Sequence, residues 1–487
     1  MIMKTLKTFM ILATSLCLLL SCSRTYDYDE SFSCMTVKAS PFAPAVITVE
    51  PDGVDDTPTL ISAFENAKAS GPGSVVQLVE GEYHVGYMEV RDFYGFLKGA
   101  GKEKTIITVL PGMDLDELLA QHLLHCNMKF IGGDVNISHL TIQTPPGQIS
   151  VGWPYMGHIY TLVNFSATSA GYELGNESRS IKVVIDNVNF RGQLLEGGPG
   201  YVNSYNCLIG VRAGFDYYSP YETLAQPLPR ERIDFKITNC DFNTFCYGLG
   251  LEGINNGRII IGENNNGNVF SNIDQQGGVW ESRNSAVTIE GNTFNIPEFS
   301  YGLDLDDYPY YTILRNEPSG NNAVFDIRNN TFNMTNSTYA LLLRNIRTRT
   351  NPGEPVTVFQ VKNNLFNMTG GYERALISYY TVDMVIRNNR FTGYGDFALR
   401  LVNYSKGGLV LGNNFSTAEF KSAVAYLTPS TSNWTFVGGN LADKVMDYGT
   451  NNIFTGFSVN NSEAPFGETI VDNLDFVKEA LRDLKGH

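Results

Sequence analysis

The chain has 487 residues, of which 43% are hydrophobic and 17% are charged, and its net charge is −15. This length allows a large core, and the abundance of glycine (47 residues) is typical of a turn-rich β protein rather than a helical one. The acidic balance makes nucleic acid and anionic membrane surfaces poor partners. It also disfavours a polyanionic substrate, unless a local basic patch or a bound cation intervenes.

The first 21 residues have the features of an export signal. Lys4 and Lys7 precede an apolar run over residues 9–20, which is too short to span a bilayer comfortably. Ser21 and Cys22 follow two leucines, a pattern that resembles the bacterial lipobox, in which the cysteine is acylated; an ordinary cleaved signal is the alternative. We predict a signal peptide over 1–21, lipidation at Cys22 and a polar tether over 22–44. The protein is then lipid-anchored to the bacterial outer membrane, at the cell surface or on the periplasmic side.

A short amphipathic helix is predicted after the tether. The run Asp55-Asp56-Thr57-Pro58 indicates a helix start, with a capping side chain and proline in the first turn, and Gly71 ends the pattern. Such a helix can close the open hydrophobic end of a solenoid. Its predicted apolar stripe consists of Leu60, Ile61, Phe64 and Ala67.

One pattern then recurs along the chain: apolar, any, apolar, any, Asn or Gly, any, any, aromatic. Alternation predicts a short strand with one buried face, and asparagine supplies a tight bend because it tolerates left-handed backbone angles. Stacked asparagines can form an amide ladder. The 25-residue steps from Asn363 to Asn388 and from Asn388 to Asn413 match one three-sided coil. Copies span residues 183–190, 235–242, 287–294, 325–332, 359–366, 384–391 and 409–415.

A second predicted strand follows most copies and carries an inward Leu-x-Leu pair. It occurs at residues 247–252, 301–306, 339–344, 374–379 and 397–402, and at 208–212 with one residue deleted. These coils, with Asp-Asp-Thr at 55–57 and Gly-Ala-Gly at 99–101, resemble the pectin-lyase-like superfamily over about residues 45–455. The resemblance implies an all-β fold, a right-handed parallel β-helix with an N-terminal cap helix and a short C-terminal helix. It does not imply one activity, because the fold hosts lyases, hydrolases, epimerases and adhesins.

We therefore predict a β-helix domain over residues 45–458 and a C-terminal helical cap over 459–487. Five cysteines remain after Cys22, and we expect buried free thiols, with a Cys240–Cys246 disulfide as the alternative. We expect a monomer.

The outward positions of the second strands are expected to form columns on one face, with neighbouring coils about 4.8 Å apart. The first predicted column contains Arg212, Glu252, Asp306, Arg344, Tyr379 and Val402. The adjacent column contains Gly210, Gly250, Asp304, Leu342, Ile377 and Arg400. A further coil around residues 277–283 is predicted between Glu252 and Asp306 and adds Trp280 and Glu281.

Carboxylates and aromatic rings on this face predict a groove for a glycan. Two carboxylates on nearby coils can act as acid and base, and a carboxylate beside another has a raised pKa. The alternative is a solvent-facing charge ladder, in which Arg212 pairs with Glu252 and Asp306 pairs with Arg344. Candidate catalytic residues are Glu252, Asp304, Asp306, Asp307 and Arg344. Candidate substrate-binding residues are Arg212, Trp280, Glu281, Tyr301, Tyr308, Tyr379 and Arg400.

The same acidic residues offer a calcium site. Asp304, Asp306 and Asp307 supply the carboxylate oxygens that Ca²⁺ prefers. A calcium-dependent lyase would combine that cation with a base such as Arg344. The pectate lyase, polygalacturonase, alginate lyase and epimerase signatures of this superfamily are absent from the chain, however. We therefore predict no required cofactor, with calcium as the alternative.

The sequence thus predicts a surface or periplasmic carbohydrate-active protein. Its partner is a polysaccharide or glycoconjugate, its membrane contact is through the lipid anchor only, and it binds no nucleic acid. We expect it to cleave the polysaccharide, as a glycoside hydrolase or a polysaccharide lyase, with the acidic balance favouring neutral glycans and hydrolysis. The alternative is a non-catalytic, glycan-binding or adhesin-like lipoprotein.

Overall fold

The computed structural model describes residues 43–112, 125–144, 158–167, 180–192, 206–214, 232–254, 256–280, 282, 284–306, 323–345, 357–438 and 443–460. Within these ranges the chain forms thirty strands and one helix. The predicted signal peptide, the lipidated Cys22, most of the tether and nearly all of the predicted C-terminal cap lie outside the described residues.

The strands are short and follow one another closely. Strands β1 to β10 span Val46–Val49, Ser74–Leu78, Gly81–Val85, Met88–Lys98, Thr105–Val109, His125–Gln143, His158–Ser166, Ser180–Arg191, Asn206–Gly214 and Arg232–Thr238. Strands β11 to β20 span Asp241–Glu252, Arg258–Ile261, Val269–Trp280, Ala286–Glu290, Thr293–Ile296, Tyr301–Asp306, Val324–Arg328, Thr331–Met334, Tyr339–Arg344 and Val358–Lys362. Strands β21 to β30 span Leu365–Met368, Arg374–Tyr379, Val382–Arg387, Arg390–Val402, Lys406–Leu411, Asn414–Leu427, Ser432–Val437, Lys444–Asp447, Ile453–Thr455 and Ser458–Asn460.

The strands stack in parallel on three faces, which confirms the predicted right-handed parallel β-helix. Long strands bend around a corner and belong to two or three faces. The first face contains β1, β2, β4, β6, β8, β10, β12, β14, β17, β20, β23, β25, β27 and β29. The second contains β3, β5, β6, β8, β11, β13, β15, β18, β21, β24 and β26. The third contains β4, β6, β7, β9, β11, β13, β16, β19, β22, β24, β26, β28 and β30.

Helix α1 (Thr57–Ser70) packs against β1, β2 and β4, as expected of a cap on the first coils. The Phe64 ring lies 5.0 Å from Phe93 and 5.8 Å from Phe130, so the helix extends the core. Two details of the prediction were wrong. The Ile61 side chain is 39% exposed. The Asp56 carboxylate makes no cap and instead accepts the N–H of His84 at 2.9 Å, which ties the helix start to β3.

In each asparagine turn, two consecutive residues have different roles. The first residue adopts left-handed angles, with φ of 56° at Asn363, 54° at Asn388 and 62° at Gly412. The second points inward, where each amide Nδ2 donates to the Oδ1 of the next coil at 2.9–3.0 Å. The ladder consists of Asn268, Asn292, Asn330, Asn364, Asn389 and Asn413.

The ladder corrects the predicted spacing. Asn413 is equivalent to Asn389, and the counterpart of Asn388 is Gly412, so the last of these coils has 24 residues rather than 25. The aromatic residue of each motif forms a second internal column, with ring centroids 4.7–5.0 Å apart. This column contains Phe190, Phe242, Phe270, Phe294, Phe332, Phe366, Phe391 and Phe415.

Three cysteines of the described residues are free thiols, so Cys240 and Cys246 form no disulfide. Cys126 and Cys240 are buried, and burial raises the pKa of Cys240 to about 12. Across the described ranges, no helix has the length and apolarity needed to cross a membrane.

Candidate functional site

The outward side of the third face carries three columns of aligned residues. The central column contains Arg212, Gly250, Gly278, Asp304, Leu342, Ile377, Arg400, Tyr426 and Met446. The outer column contains Glu252 and Trp280, followed by Asp306, Arg344, Tyr379 and Val402. The tyrosine column contains Tyr247, Gln275, Tyr301, Tyr339, Arg374 and Phe397.

The observed register confirms most of the predicted alignment and corrects two members, Gly210 and Arg212. Gly210 lies level with Gly248, between the pairs Ile209–Tyr247 and Val211–Leu249, and so is not in the central column. Arg212 pairs with Gly250 and therefore belongs to the central column, not to the column of Glu252. The prediction aligned 208–212 with a single deletion, which moved Arg212 by two positions. Strand β13 does lie between β11 and β16, as predicted, so Trp280 sits between the coils of Glu252 and Asp304.

Arg212 and Glu252 form a buried ion pair across neighbouring coils. Arg212 Nη2 lies 3.3 Å from Glu252 Oε2, and the two side chains are 5% and 12% exposed. This pairing was the prediction of the charge-ladder alternative, and it is confirmed. It differs from a surface pair, because both charges have lost most of their water and each holds the other in place.

The Trp280 indole lies over a floor of two glycines, Gly250 and Gly278. A Cβ atom on Gly278 would lie 2.0 Å from the indole, and one on Gly250 would lie 3.4 Å from it. The Tyr247 ring meets Trp280 edge to face at a centroid distance of 6.0 Å. Because the two glycines have no side chains, the indole can lie against the sheet between Arg212 and Asp304. An aromatic ring in this position can serve as a stacking platform for a sugar ring.

Asp304 and Arg344 form the second ion pair of this face. Arg344 Nε donates to Asp304 Oδ1 at 3.1 Å, and Arg344 Nη2 contacts Asp304 Oδ2. The side chains are 14% and 16% exposed. Burial raises the pKa of Asp304, while the Arg344 guanidinium and a hydrogen bond from Trp280 oppose that rise. The predicted cause of a raised pKa was a second carboxylate, and the described contacts replace it with desolvation.

Tyr339 completes the surroundings of Asp304. Burial, reinforced by the negative charge of Asp304, raises the pKa of Tyr339 well above its usual value, so its hydroxyl remains a proton donor. Gln275, two coils earlier in the same column, hydrogen-bonds the same phenol. Tyr247, Gln275 and Tyr339 were not predicted as site residues, because the predicted columns contain only positions within and after the Leu-x-Leu pair. The signal was present, since most second strands begin with an aromatic residue.

The remaining predicted residues fall into two groups. Tyr301, Tyr379 and Arg400 are partly buried on the third face, at the aligned positions given above. The Tyr301 ring lies 5.2 Å from that of Tyr339. Glu281, Asp307, Tyr308 and the side chain of Asp306 lie outside the described residues. Within the described part of the chain, no group of three or more potential metal ligands occurs.

The spacing of the two described carboxylates limits what they can do. Glu252 and Asp304 are two coils and two residues apart, or roughly 12 Å between Cα atoms. The Trp280 indole lies between their coils. A substrate placed on the indole would therefore have one carboxyl group on each side, and Arg344 and Tyr339 beside the second.

Three comparisons relate this architecture to known proteins. No protein-family model and no curated protein matches the chain. Among solved structures, the A-module of mannuronan C-5 epimerase AlgE6 of Azotobacter vinelandii is 13% identical, with a TM-score of 0.44, over 85% of this chain and 97% of that one. An exopolygalacturonase of Thermotoga maritima is 11% identical, with a TM-score of 0.43, over 88% and 94%.

A third similar structure is a surface adhesin, PfbA of Streptococcus pneumoniae. It is 14% identical, with a TM-score of 0.43, over 82% of this chain and 93% of that one. The parallel β-helix that the resemblance implied is confirmed by the strand pairing itself. The similar structures include polysaccharide-acting enzymes and an adhesin, so the site itself has to carry the argument for function.

Proposed function

We propose that the protein binds a polysaccharide along the outward side of the third face and cleaves it at Asp304. The observation that carries the proposal is the position of Asp304. It is a carboxyl group with a pKa raised by burial, beside an aromatic platform, on the face of a β-helix. A carboxyl group whose pKa is raised keeps its proton to higher pH and can protonate the oxygen of a glycosidic bond.

Glu252 is the second carboxylate in the proposed reaction. With Asp304 as the acid, hydrolysis needs a base that activates water on the other side of the sugar. Their Cα atoms are roughly 12 Å apart with the Trp280 indole between their coils, which favours the wider carboxyl spacing of about 6.5–9.5 Å, with room for a water molecule, over the spacing of about 5–5.5 Å in retaining enzymes. We therefore propose hydrolysis with inversion, with Trp280 holding the sugar ring between the two groups.

Binding without cleavage is the second candidate function, and one observation favours it. Both described carboxylates are engaged by arginines, Glu252 by Arg212 and Asp304 by Arg344. A carboxylate held in this way can also serve to fix the arginine, whose remaining N–H groups then bind sugar hydroxyls. The aromatic platform serves either candidate equally well.

A polysaccharide panel separates the two candidates. Purified full-length protein is incubated with neutral and acidic polysaccharides, and products are scored by new reducing ends and by ultraviolet absorbance of unsaturated sugars. We expect reducing ends without unsaturated products, and loss of at least about a hundredfold in rate for Asp304→Asn, in line with general acid catalysis. Binding to the same polysaccharide should persist in that variant.

Asp134→Asn is the matched control. Asp134 lies on the first face, away from Trp280. Its Oδ2 atom is 3.1 Å from Nζ of Lys182 on the neighbouring strand, so it also forms a cross-strand ion pair. Its loss should leave turnover unchanged. Turnover that survives Asp304→Asn would show that the assigned site is wrong. Binding without any product from the wild type would leave the adhesin-like candidate.

The anchoring and the assembly are separate proposals. We propose that Cys22 carries the lipid and that the protein is a monomer on the outer membrane. Cys22→Ala should move the protein from the membrane to the soluble fraction of cells. Light scattering of a variant that starts after the tether should give the mass of one chain.

A further inference from the structure

A cavity of about 360 Å³ opens on the third face, towards the C-terminal coils. Residues of β22, β24, β26 and β28 line it. Arg400, a member of the central column, is one of them. Arg400 is three coils beyond Asp304, or roughly 14 Å along the helix axis. Cavity and candidate site therefore lie on one continuous surface, within the length of a few sugar units.

The lining of the cavity is basic. It contains Arg374, Arg400, Lys421 and Lys444, against the single carboxylate of Asp396, which leaves a net charge of about +3. Asp396 is already engaged, because Ser422 Oγ donates to its Oδ1 at 2.5 Å and Arg374 Nε lies 3.9 Å from its Oδ2. The whole chain carries −15, so this concentration of positive charge runs against the field of the protein.

Such a cluster is costly as a purely structural feature. Like charges on neighbouring strands repel one another, and the long side chains lose rotamer freedom when they converge. An anionic group in the cavity would offset this repulsion, and arginine is well suited to bind carboxylate or sulfate oxygens in pairs.

The other walls of the cavity indicate what carries that anionic group. Phe397 and Tyr426 line the cavity with their ring centroids 5.6 Å apart, and Met446 lies beside them. An inorganic ion needs only the cations. Aromatic and apolar walls beside the cations fit a sugar ring, whose C–H face packs on aromatic groups while its substituent reaches the arginines.

We propose that this basic cavity binds an acidic sugar, a uronate or a sulfated residue, of the polysaccharide that reaches Asp304. The inference rests on the proposed function for its polysaccharide and goes beyond it by assigning the substrate class. It also reverses the expectation of a neutral glycan. The positive charges of the cavity lie close to a bound sugar, whereas solvent and salt screen the negative charges elsewhere on the chain.

Binding of acidic and neutral polysaccharides to the full chain tests the proposal. The probes are polygalacturonate and chondroitin sulfate, each with its carboxyl-reduced or desulfated form, and a neutral β-glucan. We expect the acidic polymers to bind about tenfold or more tightly than their neutralised forms, with an affinity that falls as salt increases. Loss of binding on carboxyl reduction identifies a uronate, and loss on desulfation identifies a sulfate ester.

Two variants locate the binding. Arg400→Gln and Lys444→Gln should each weaken binding of the acidic polymer about tenfold. Lys444 is exposed, so its replacement carries little risk to folding. Arg390→Gln is the matched control, because Arg390 is an exposed cation on the same strand as Arg400 but on the second face.

The outcomes separate this proposal from the proposed function. Equal binding of acidic and neutralised polymers, or full affinity in both cavity variants, would overturn the acidic-sugar assignment. Turnover of a neutral glycan alone would support the proposed cleavage and contradict the assignment of an acidic sugar to the cavity. Cavity-dependent binding of an acidic polymer without turnover would support the cavity and contradict cleavage at Asp304.

Discussion

Arg344 donates from Nε to Oδ1 of Asp304 at 3.1 Å, although its direct partner across the strands is Asp306. The guanidinium therefore reaches diagonally to the central column. This diagonal contact places a positive charge beside a carboxyl group whose pKa is raised by burial. The chemistry that we propose depends on the balance between these two influences.

Removing the charge of Arg344 should move the pH dependence of activity. Asp304 must hold a proton to act as the acid, so activity falls as the pH rises through its pKa. Arg344 opposes the rise of that pKa, and Arg344→Gln should therefore shift the alkaline limb of kcat/KM to higher pH. Arg344→Lys retains the charge and should stay closer to the wild type. An alkaline limb that is identical in the Gln variant would exclude Asp304 as the titrating group.

The glycine floor predicts a difference between two similar substitutions. Gly278→Ala puts a methyl group where the Trp280 ring lies, at 2.0 Å, and should displace the indole. Gly250→Ala adds the same methyl group at 3.4 Å and should be tolerated. We expect the first variant to bind the polysaccharide about fivefold more weakly and the second to bind normally. Indole fluorescence reports displacement of the ring, and equal affinities would show that Trp280 does not stack on the ligand.

The two roles within an asparagine turn predict that substitutions at neighbouring positions differ in how much they destabilise the fold. Asn364 donates to Ile327 O and to Asn389 Oδ1 and accepts from Asn330, all in the interior. Asn364→Ala leaves these groups unpaired and should cost about 2–4 kcal/mol. Asn363→Gly keeps the left-handed backbone and should change stability by less than about 1 kcal/mol. Urea unfolding followed by circular dichroism measures both, and equal losses would contradict the division of roles.

Chelation tests the calcium alternative. The Asp304 carboxylate already has a cationic partner in Arg344, so we expect activity and polysaccharide binding to persist in EDTA. Loss of activity in EDTA, restored by Ca²⁺ and not by Mg²⁺, would instead assign Asp304, Asp306 and Asp307 to a calcium site. Thermal melting with and without EDTA serves as the control for a purely structural cation.

The repeat pattern predicted more of the fold than of the site. Asn-Asn-x-Phe copies such as 325–332 predicted strands, turns, the amide ladder and the aromatic column, because each of these depends on local backbone geometry repeated from coil to coil. Errors arose where the repeat is irregular. The offset of Arg212 and the 24-residue coil that ends at Gly412 both follow deletions, which a pattern without hydrogen-bond register cannot place.

By itself, the amino-acid sequence determined that the chain forms stacked coils and that Glu252, Asp304, Arg344 and Arg400 lie at outward positions of the second predicted strand of each coil. Alternation is a local property, and it needs no knowledge of the neighbouring coil. The tertiary structure decided which of these side chains meet. It paired Arg344 with Asp304, laid Trp280 on Gly278, and gathered Arg374, Arg400, Lys421 and Lys444 around one cavity. The physical reason is that such contacts depend on strand register and side-chain rotamers across coils that are 25 to 40 residues apart in the chain, which a local pattern does not contain.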